Sequence, residues 1–288
     1  MNLDSTTLNQ RLKNIKLVVC DVDGTLTNDK EKIGDLTKEY LAKIKQIGVT
    51  FTLSTQKIRS SVIELAKELN IDVPFITANG KLISDSNGNV LLASYLKPGQ
   101  VKRALKLTKY YNAKIAFCNN DEIIYTKENA MVKDLKHRMG TNYKLVDSYD
   151  DNIHNVVEII IVGYDRKVIR YIHKKIKFPF GIFVKSVYFR LSSSSGMYNL
   201  DIRRTGIDKE SSLRKLAKHL NFSKNEVAVI GDWYNDMELF KYGGLNIALK
   251  NAVPRLRYLA DYVVPKTNNE DGVGEFLKMI YEIKTSKV

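Results

Sequence analysis

Short Val- and Ile-rich runs alternate with helical stretches at both ends of this 288-residue chain, and the alternation breaks in the middle. The run Ile15–Cys20, apolar but for Lys16, stops at an acid, as a strand buried on both faces does. A helical period follows through Leu36, Tyr40, Leu41 and Ile44, closed by Gly48. Val49–Leu53 reads as the next strand. Ile58, Val62, Leu65 and Leu69 then predict an amphipathic helix of about three turns. Pro74–Thr77 predicts a third strand ahead of Ala78-Asn79-Gly80. Strand, helix, strand, helix, strand is the order of a parallel α/β sheet.

From about residue 84 the pattern changes. Asp85-Ser-Asn-Gly-Asn predicts a hairpin turn, Pro98–Lys109 and Arg166–Lys175 predict helices, and the strands between them come in pairs. After residue 198 the first pattern returns, with helices at Lys209–Leu220, Tyr234–Tyr242, Pro254–Leu259 and Gly272–Thr285 and strands at Glu226–Ile230, Leu245–Leu249 and Tyr262–Val264. The expected architecture is an α/β Rossmann-like parallel-sheet core with helices on both faces, formed by residues 1–83 and 199–288. An α+β module, residues 84–198, is inserted into it.

Composition excludes several classes. The polar N-terminal residues lack the apolar stretch of a signal peptide, and no apolar run approaches the ~20 residues that span a bilayer. Two cysteines, Cys20 and Cys118, cannot build a disulfide framework and predict a reducing, cytoplasmic setting. The net charge of +14 is spread over scattered lysines without interleaved aromatics, so a membrane or nucleic-acid partner is not expected. Such a field does favour anionic small molecules. His137, His154, His173 and His219 show no metal-ligand spacing. Cys20 is expected to be a buried thiol.

In open α/β sheets ligands sit beyond the carboxyl ends of the strands. The positions there are Asp21-Val22-Asp23-Gly24-Thr25, then Ser54-Thr55-Gln56-Lys57, then Gly231-Asp232-Trp233-Tyr234-Asn235-Asp236, with Asp208-Lys209 opening a helix. Carboxylates, a hydroxyl and an ammonium in this arrangement suit phosphoryl transfer, which needs charge neutralised on three oxygens and an in-line nucleophile. Asp21 can be that nucleophile. Asp21 and Asp232 can hold Mg²⁺, a cation of few carboxylates and several waters. Asp23 can protonate a leaving oxygen and later take a proton from water. Gly24 allows the tight turn between them. Thr55 is expected at a helix start, where N–H groups favour an anion, and Lys209 adds a charge behind an Asp208 cap. An EF-hand reading fails because Thr25 and Leu26 stand where that loop needs an acid or amide and a glycine.

These segments resemble the four motifs of the haloacid dehalogenase superfamily: Asp21-Val-Asp-Gly-Thr-Leu-Thr, Leu53-Ser-Thr55, Lys209, and Gly231-Asp-Trp-Tyr-Asn-Asp236. Ala78-Asn79-Gly80, Leu249-Lys-Asn-Ala252 and Asn269-Glu-Asp-Gly-Val273 are similar to segments of its Cof-type phosphatases, which carry a large α/β cap between the second and third motifs. The resemblance implies a Mg²⁺-dependent phosphomonoester hydrolase acting on a small phosphorylated metabolite such as a sugar phosphate. It implies Asp21 as nucleophile and Asp23 as acid/base, and a metal site of Asp21, Asp23, Asp232 and Asp236. Phosphate would be held by Thr55, Lys209, Asn235 and the backbone N–H groups of Val22 and Gln56. Asn79 and Gly80 would lie near substrate, and the inserted module would close over the core and select it. Gln56-Lys57 replaces the Gly-Arg usual after the second-motif threonine, which leaves the substrate class open. A phosphomutase on the same scaffold and a non-catalytic phosphometabolite-binding protein are the alternatives. A monomer or a homodimer is expected.

Overall fold

The computed structural model describes residues 3–129, 132, 133, 135, 142–177, 183–191 and 196–286. His137 therefore lies outside the described residues. The chain forms two compact units, one of Met1–Thr55, Leu65–Asn89 and Asp208–Val288, the other of Gln56–Glu64 and Val90–Ile207.

The first unit is built on a five-stranded sheet in the order Tyr262–Val264, Leu245–Leu249, Val227–Gly231, Leu17–Cys20, Thr50–Leu53, parallel throughout. Leu17–Cys20 and Val227–Gly231 are buried at every residue, which explains why they read as unbroken apolar runs. The helix Asp35–Gln46 packs on Gly272–Thr285, with Tyr40 edge-on to Tyr281 at 5.9 Å. Lys209–His219 packs against the hairpin of Phe75–Thr77 and Leu82–Ser84.

That hairpin departs from the expected third parallel strand. Phe75–Thr77 pairs antiparallel with Leu82–Ser84 and meets the main sheet through a single parallel bridge, Ser54 to Ile76. Ala78, Asn79 and Gly80 all hold positive φ, at 49°, 51° and 89°, and reverse the chain on the spot. The Asp85 turn forms as expected, with the Asp85 carboxylate accepting N–H groups of Asn87 and Asn89 at 2.9 Å each.

The second unit holds a six-stranded sheet ordered Val184–Arg190, Tyr198–Arg204, Glu158–Gly163, Lys114–Cys118, Ile123–Tyr125, Tyr143–Leu145. Its pairs are antiparallel except the last. One face buries Phe117, Ile159, Ile161, Leu200 and Ile202 with Val101 and Ala104 of the helix Pro98–Tyr110 and Ile169, Ile172 and Ile176 of Arg166–Lys177.

Contacts divide the chain at places other than the expected residues 84 and 198. Tyr198–Arg204 is paired on both sides within the second sheet, so the chain returns to the first unit only at Asp208. Gln56–Glu64 also belongs to the second unit, because Arg59 grips the Asp121 carboxylate through Nε at 2.7 Å and Nη2 at 2.8 Å. The same stretch falsifies the three-turn helix expected from Ile58. A 3₁₀ turn at Arg59–Ser61 comes first, and the α-helix covers only Ile63–Glu68. No helix among the described residues is long and apolar enough to cross a membrane.

Candidate active site

Asp21 follows the last residue of the first strand, and its backbone N–H donates to Ile230 O at 3.0 Å. The chain then turns sharply. The Val22 carbonyl accepts the N–H groups of Leu26 and Thr27 at 3.0 Å each. Gly24 makes the turn at φ 76°, and a Cβ there would lie 2.6 Å from Asp232 Oδ2. A side chain at this glycine would therefore displace an acid. The Thr25 hydroxyl donates to Asp232 Oδ1 at 2.7 Å, across 207 positions of sequence.

Lys209 is completely buried. Its ammonium donates to Asp21 Oδ1 at 2.8 Å, Asp236 Oδ1 at 2.8 Å and the Ser54 carbonyl at 3.2 Å, which uses all three of its protons. The helix it opens is capped as expected, with Ser211 N–H donating to Asp208 Oδ1 at 2.9 Å. Gly80 packs against this start: a Cβ there would sit 2.4 Å from the Asp208 carbonyl carbon. The Ser212 hydroxyl donates to the Gly80 carbonyl at 2.5 Å. Gly80, expected near substrate, thus has a packing role in seating Lys209.

Asp236 is wholly buried and its carboxylate is spent: Oδ1 accepts Lys209, and Oδ2 accepts the N–H groups of Asp232 and Trp233 at 3.1 Å each. Gly231 permits that approach, since a Cβ there would fall 2.6 Å from the Asp236 Cβ. Among the described residues, ligand atoms of Asp21, Asp232 and Asp236 lie within 4.8 Å of one another, and no histidine or cysteine joins such a group.

Three carboxylates around one ammonium set the electrostatics. Burial works against a charged Lys209, but Asp21 and Asp236 outweigh it and hold the ammonium protonated. Burial, then the charge of Asp236, pushes Asp21 well above the usual carboxylate range, against the pull of Lys209. Burial also lifts Asp232, to about 6, helped by Asp236 and Asp23 and opposed by the Thr25 hydroxyl and by Lys209. Cys20 is buried as expected, its Sγ donating to the Asp21 carbonyl at 3.1 Å.

The other expected residues fall as follows. Asp23 is half-buried in the turn after Asp21. Thr55 is buried, but it does not start a helix: its N–H donates to Ile76 O at 2.9 Å, and the next helical turn begins at Arg59. Thr55 therefore offers no helix terminus to an anion. Gln56 is exposed and falls in the second unit. Asn235 donates to Asn79 Oδ1 at 3.5 Å, and Asn79 N–H donates to the Thr55 carbonyl at 3.1 Å. Trp233 and Tyr234, between Asp232 and Asp236, are 56% and 53% exposed.

Sequence reasoning assigned no role to Thr25, Asn251 or Asn268. Asn251 donates to the Gly24 carbonyl at 2.8 Å and accepts the Asn268 N–H at 3.0 Å. Asn268 in turn donates to the Thr27 carbonyl at 3.1 Å. These amides brace the turn that carries Asp23. The signal available was their place in or beside the segments Leu249–Ala252 and Asn269–Val273, whose partners are distant in sequence.

Fold and site together define an α/β enzyme scaffold with an acid-and-lysine centre at the carboxyl ends of parallel strands. Residues 18–277 match the model of the haloacid dehalogenase-like hydrolases. The chain is 27% identical over 266 residues to a 5-amino-6-(5-phospho-D-ribitylamino)uracil phosphatase of Bacillus subtilis, covering 92% of this chain and 95% of that protein. It is 25% identical over 243 residues to an HMP-PP phosphatase of Cronobacter sakazakii, covering 84% and 86%. Among solved structures it is similar to a haloacid dehalogenase-like hydrolase from Bacteroides thetaiotaomicron, with TM-score 0.79, 27% identity and coverage of 92% and 99%. A Thermotoga maritima protein shares the fold with TM-score 0.80 at 23% identity, covering 92% and 97%. The chain belongs to the haloacid dehalogenase-like hydrolase family, as a phosphatase of its Cof type.

Proposed function

We propose that this enzyme hydrolyses a small phosphorylated metabolite, with Asp21 as nucleophile and Mg²⁺ as its cation. The observation that carries the reading is the buried Lys209 ammonium bridging Asp21 and Asp236 beside Asp232. The donor set fits Mg²⁺: hard carboxylate oxygens, close together, carrying more negative charge than one lysine offsets. Asp21, Asp232 and the Asp23 carbonyl would hold the ion, while Asp236, both of whose oxygens are bonded, positions Lys209 and the Asp232 backbone. When bound, Mg²⁺ supplies the positive charge that lets a phosphate approach an aspartate.

Asp21 Oδ attacks phosphorus while the ester P–O bond breaks, and Asp23 gives its proton to the departing alkoxide. Asp23 then takes a proton from water as that water attacks the aspartyl-phosphate, releasing phosphate and restoring Asp21. Lys209, Thr55, Asn235 and the N–H groups of Val22 and Gln56 are the proposed holders of the phosphoryl oxygens. A sugar or polyol phosphate is the favoured substrate, a reading supported by the phosphoribityl group in the name of the Bacillus subtilis relative. Cys20 and Cys118 are buried and form no disulfide, which accords with a reducing cytoplasm.

The test is release of phosphate from p-nitrophenyl phosphate in Mg²⁺. Asp21→Asn is expected to lower turnover by on the order of 10⁴-fold or more. Retained activity would remove Asp21 from the nucleophile role. Isomerised sugar phosphate without released phosphate would make the enzyme a mutase.

A further inference from the structure

Between Asp232 and the wholly buried Asp236 the chain displays Trp233 and Tyr234, 56% and 53% exposed. Single exposed aromatics are ordinary, and Tyr110, Tyr164 and Tyr258 are more exposed still, so what sets this pair apart is its place in the chain. Here it is one residue from a proposed metal ligand, with adjacent Cα atoms about 3.8 Å apart.

The mount is rigid. Trp233 N–H donates to Asp236 Oδ2 at 3.1 Å, and Asp236 N–H donates to the Trp233 carbonyl at 3.0 Å. Asp236 is in turn tied to Lys209 at 2.8 Å. The two rings stand edge to face, with centroids 5.5 Å apart and planes at 78°, so each braces the other while about half of each residue stays open to solvent. A surface of this kind reads flatness rather than hydroxyl pattern, because stacking needs a planar partner.

We propose that Trp233, braced by Tyr234, stacks on the leaving group of the substrate, and that this group carries a planar heterocyclic ring. The inference rests on the phosphatase reading above and adds the substrate class to it. Trp233 is a specificity residue, distinct from the acids that perform the chemistry.

Two esters that differ only by the ring make the test. kcat/KM for uridine 5′-monophosphate and for ribose 5-phosphate is measured in Mg²⁺ on the full chain and on Trp233→Ala and Trp233→Phe. The preference for the ring-bearing ester should fall by roughly 5- to 150-fold in Trp233→Ala, the range of one base–aromatic stack. Trp233→Phe, which keeps a flat face, should retain most of it. Because Trp233 is the sole tryptophan of the chain, its emission reports binding directly, without turnover. Uridine 5′-monophosphate should quench it at concentrations where ribose 5-phosphate does not. An unchanged preference in Trp233→Ala, or equal quenching by both esters, would overturn the proposal. Failure to release phosphate from any ester, p-nitrophenyl phosphate included, would instead overturn the phosphatase reading, and the quenching titration would then decide the ring inference alone.

Discussion

Each unit buries a cluster of ionised groups, and the two clusters are balanced differently. In the second unit, Glu158 and Arg203 face each other in antiparallel register, with Arg203 Nε donating to Glu158 Oε1 at 2.6 Å. Asp201, two residues along the strand, lies 3.4 Å from Arg203 Nη2 and also accepts the Asn199 amide. Burial opposes the charge on Arg203, but Glu158 and Asp201 outweigh it and keep the guanidinium protonated. That cluster answers its own charges along two neighbouring strands. In the first unit, Lys209 is shared among acids drawn from remote segments, and Asp21 and Asp232 are still pushed upward by burial and by Asp236. A surplus of buried acid is costly unless something positive arrives. One cluster carries enough cation for its acids, while in the other Asp21 and Asp232 stay lifted in spite of Lys209.

Lys209 is where the two clusters differ most. Lys209→Ala should cost about 3–5 kcal/mol of stability, since it leaves buried carboxylates facing one another, and should abolish phosphate release. Denaturant titration and the p-nitrophenyl phosphate assay check the two effects. Next in size, Mg²⁺ at a hundred times its dissociation constant should stabilise the wild type by about 2.7 kcal/mol, and Asp232→Asn should lose most of that gain in a thermal-shift series. If Mg²⁺ stabilises both equally, the acid surplus is not where it binds.

Glu158→Ala in the second unit should cost about 1–3 kcal/mol, because Arg203 keeps Asp201 and some solvent. Its effect on p-nitrophenyl phosphate turnover should be far smaller than that of Lys209→Ala. Comparable losses of turnover would erase the contrast between the clusters.

The smallest effect concerns acid. Burial and the nearby Lys177 hold His173 of the second unit below its ordinary pKa of 6.5. Ser186 Oγ lies 3.0 Å from its Nδ1, and the Tyr188 ring is edge-on at 5.3 Å. A folded-state pKa below the unfolded one gives stability that is present above 6.5 and is lost as pH falls through the folded value. In the first unit, the bonds of Glu226 to Lys16 and Ser223 hold its carboxyl down at about 2, against an ordinary 4.5, so its contribution is lost only below that ordinary value. Mild acid should therefore weaken the second unit first. Hydrogen exchange at descending pH, with His173→Gln flattening the early loss, measures it.

Much of this was legible in residue order. Leu17–Cys20 and Val227–Gly231 are apolar throughout because both faces are covered, and such strands announce themselves. Asp21, Asp23, Lys209 and Asp232 stand at strand and helix ends, where an α/β sheet keeps its site. The Asp208 cap was equally local, since it reaches only to Ser211. The rest depended on partners far away in the chain. The period through Ile58 and Leu69 suggested three helical turns, yet Arg59 is held by Asp121, 62 positions on. Phe75–Thr77 carries a strand composition, but the left-handed run at Ala78–Gly80 folds it into a hairpin. Sequence alone determined which segments are strands and helices and which acids end them, because propensity and period act over a few residues. Only the tertiary structure decided that Thr25 bonds Asp232, that both oxygens of Asp236 are taken and that Trp233 faces outward. Those outcomes are set by packing between segments that residue order does not place side by side.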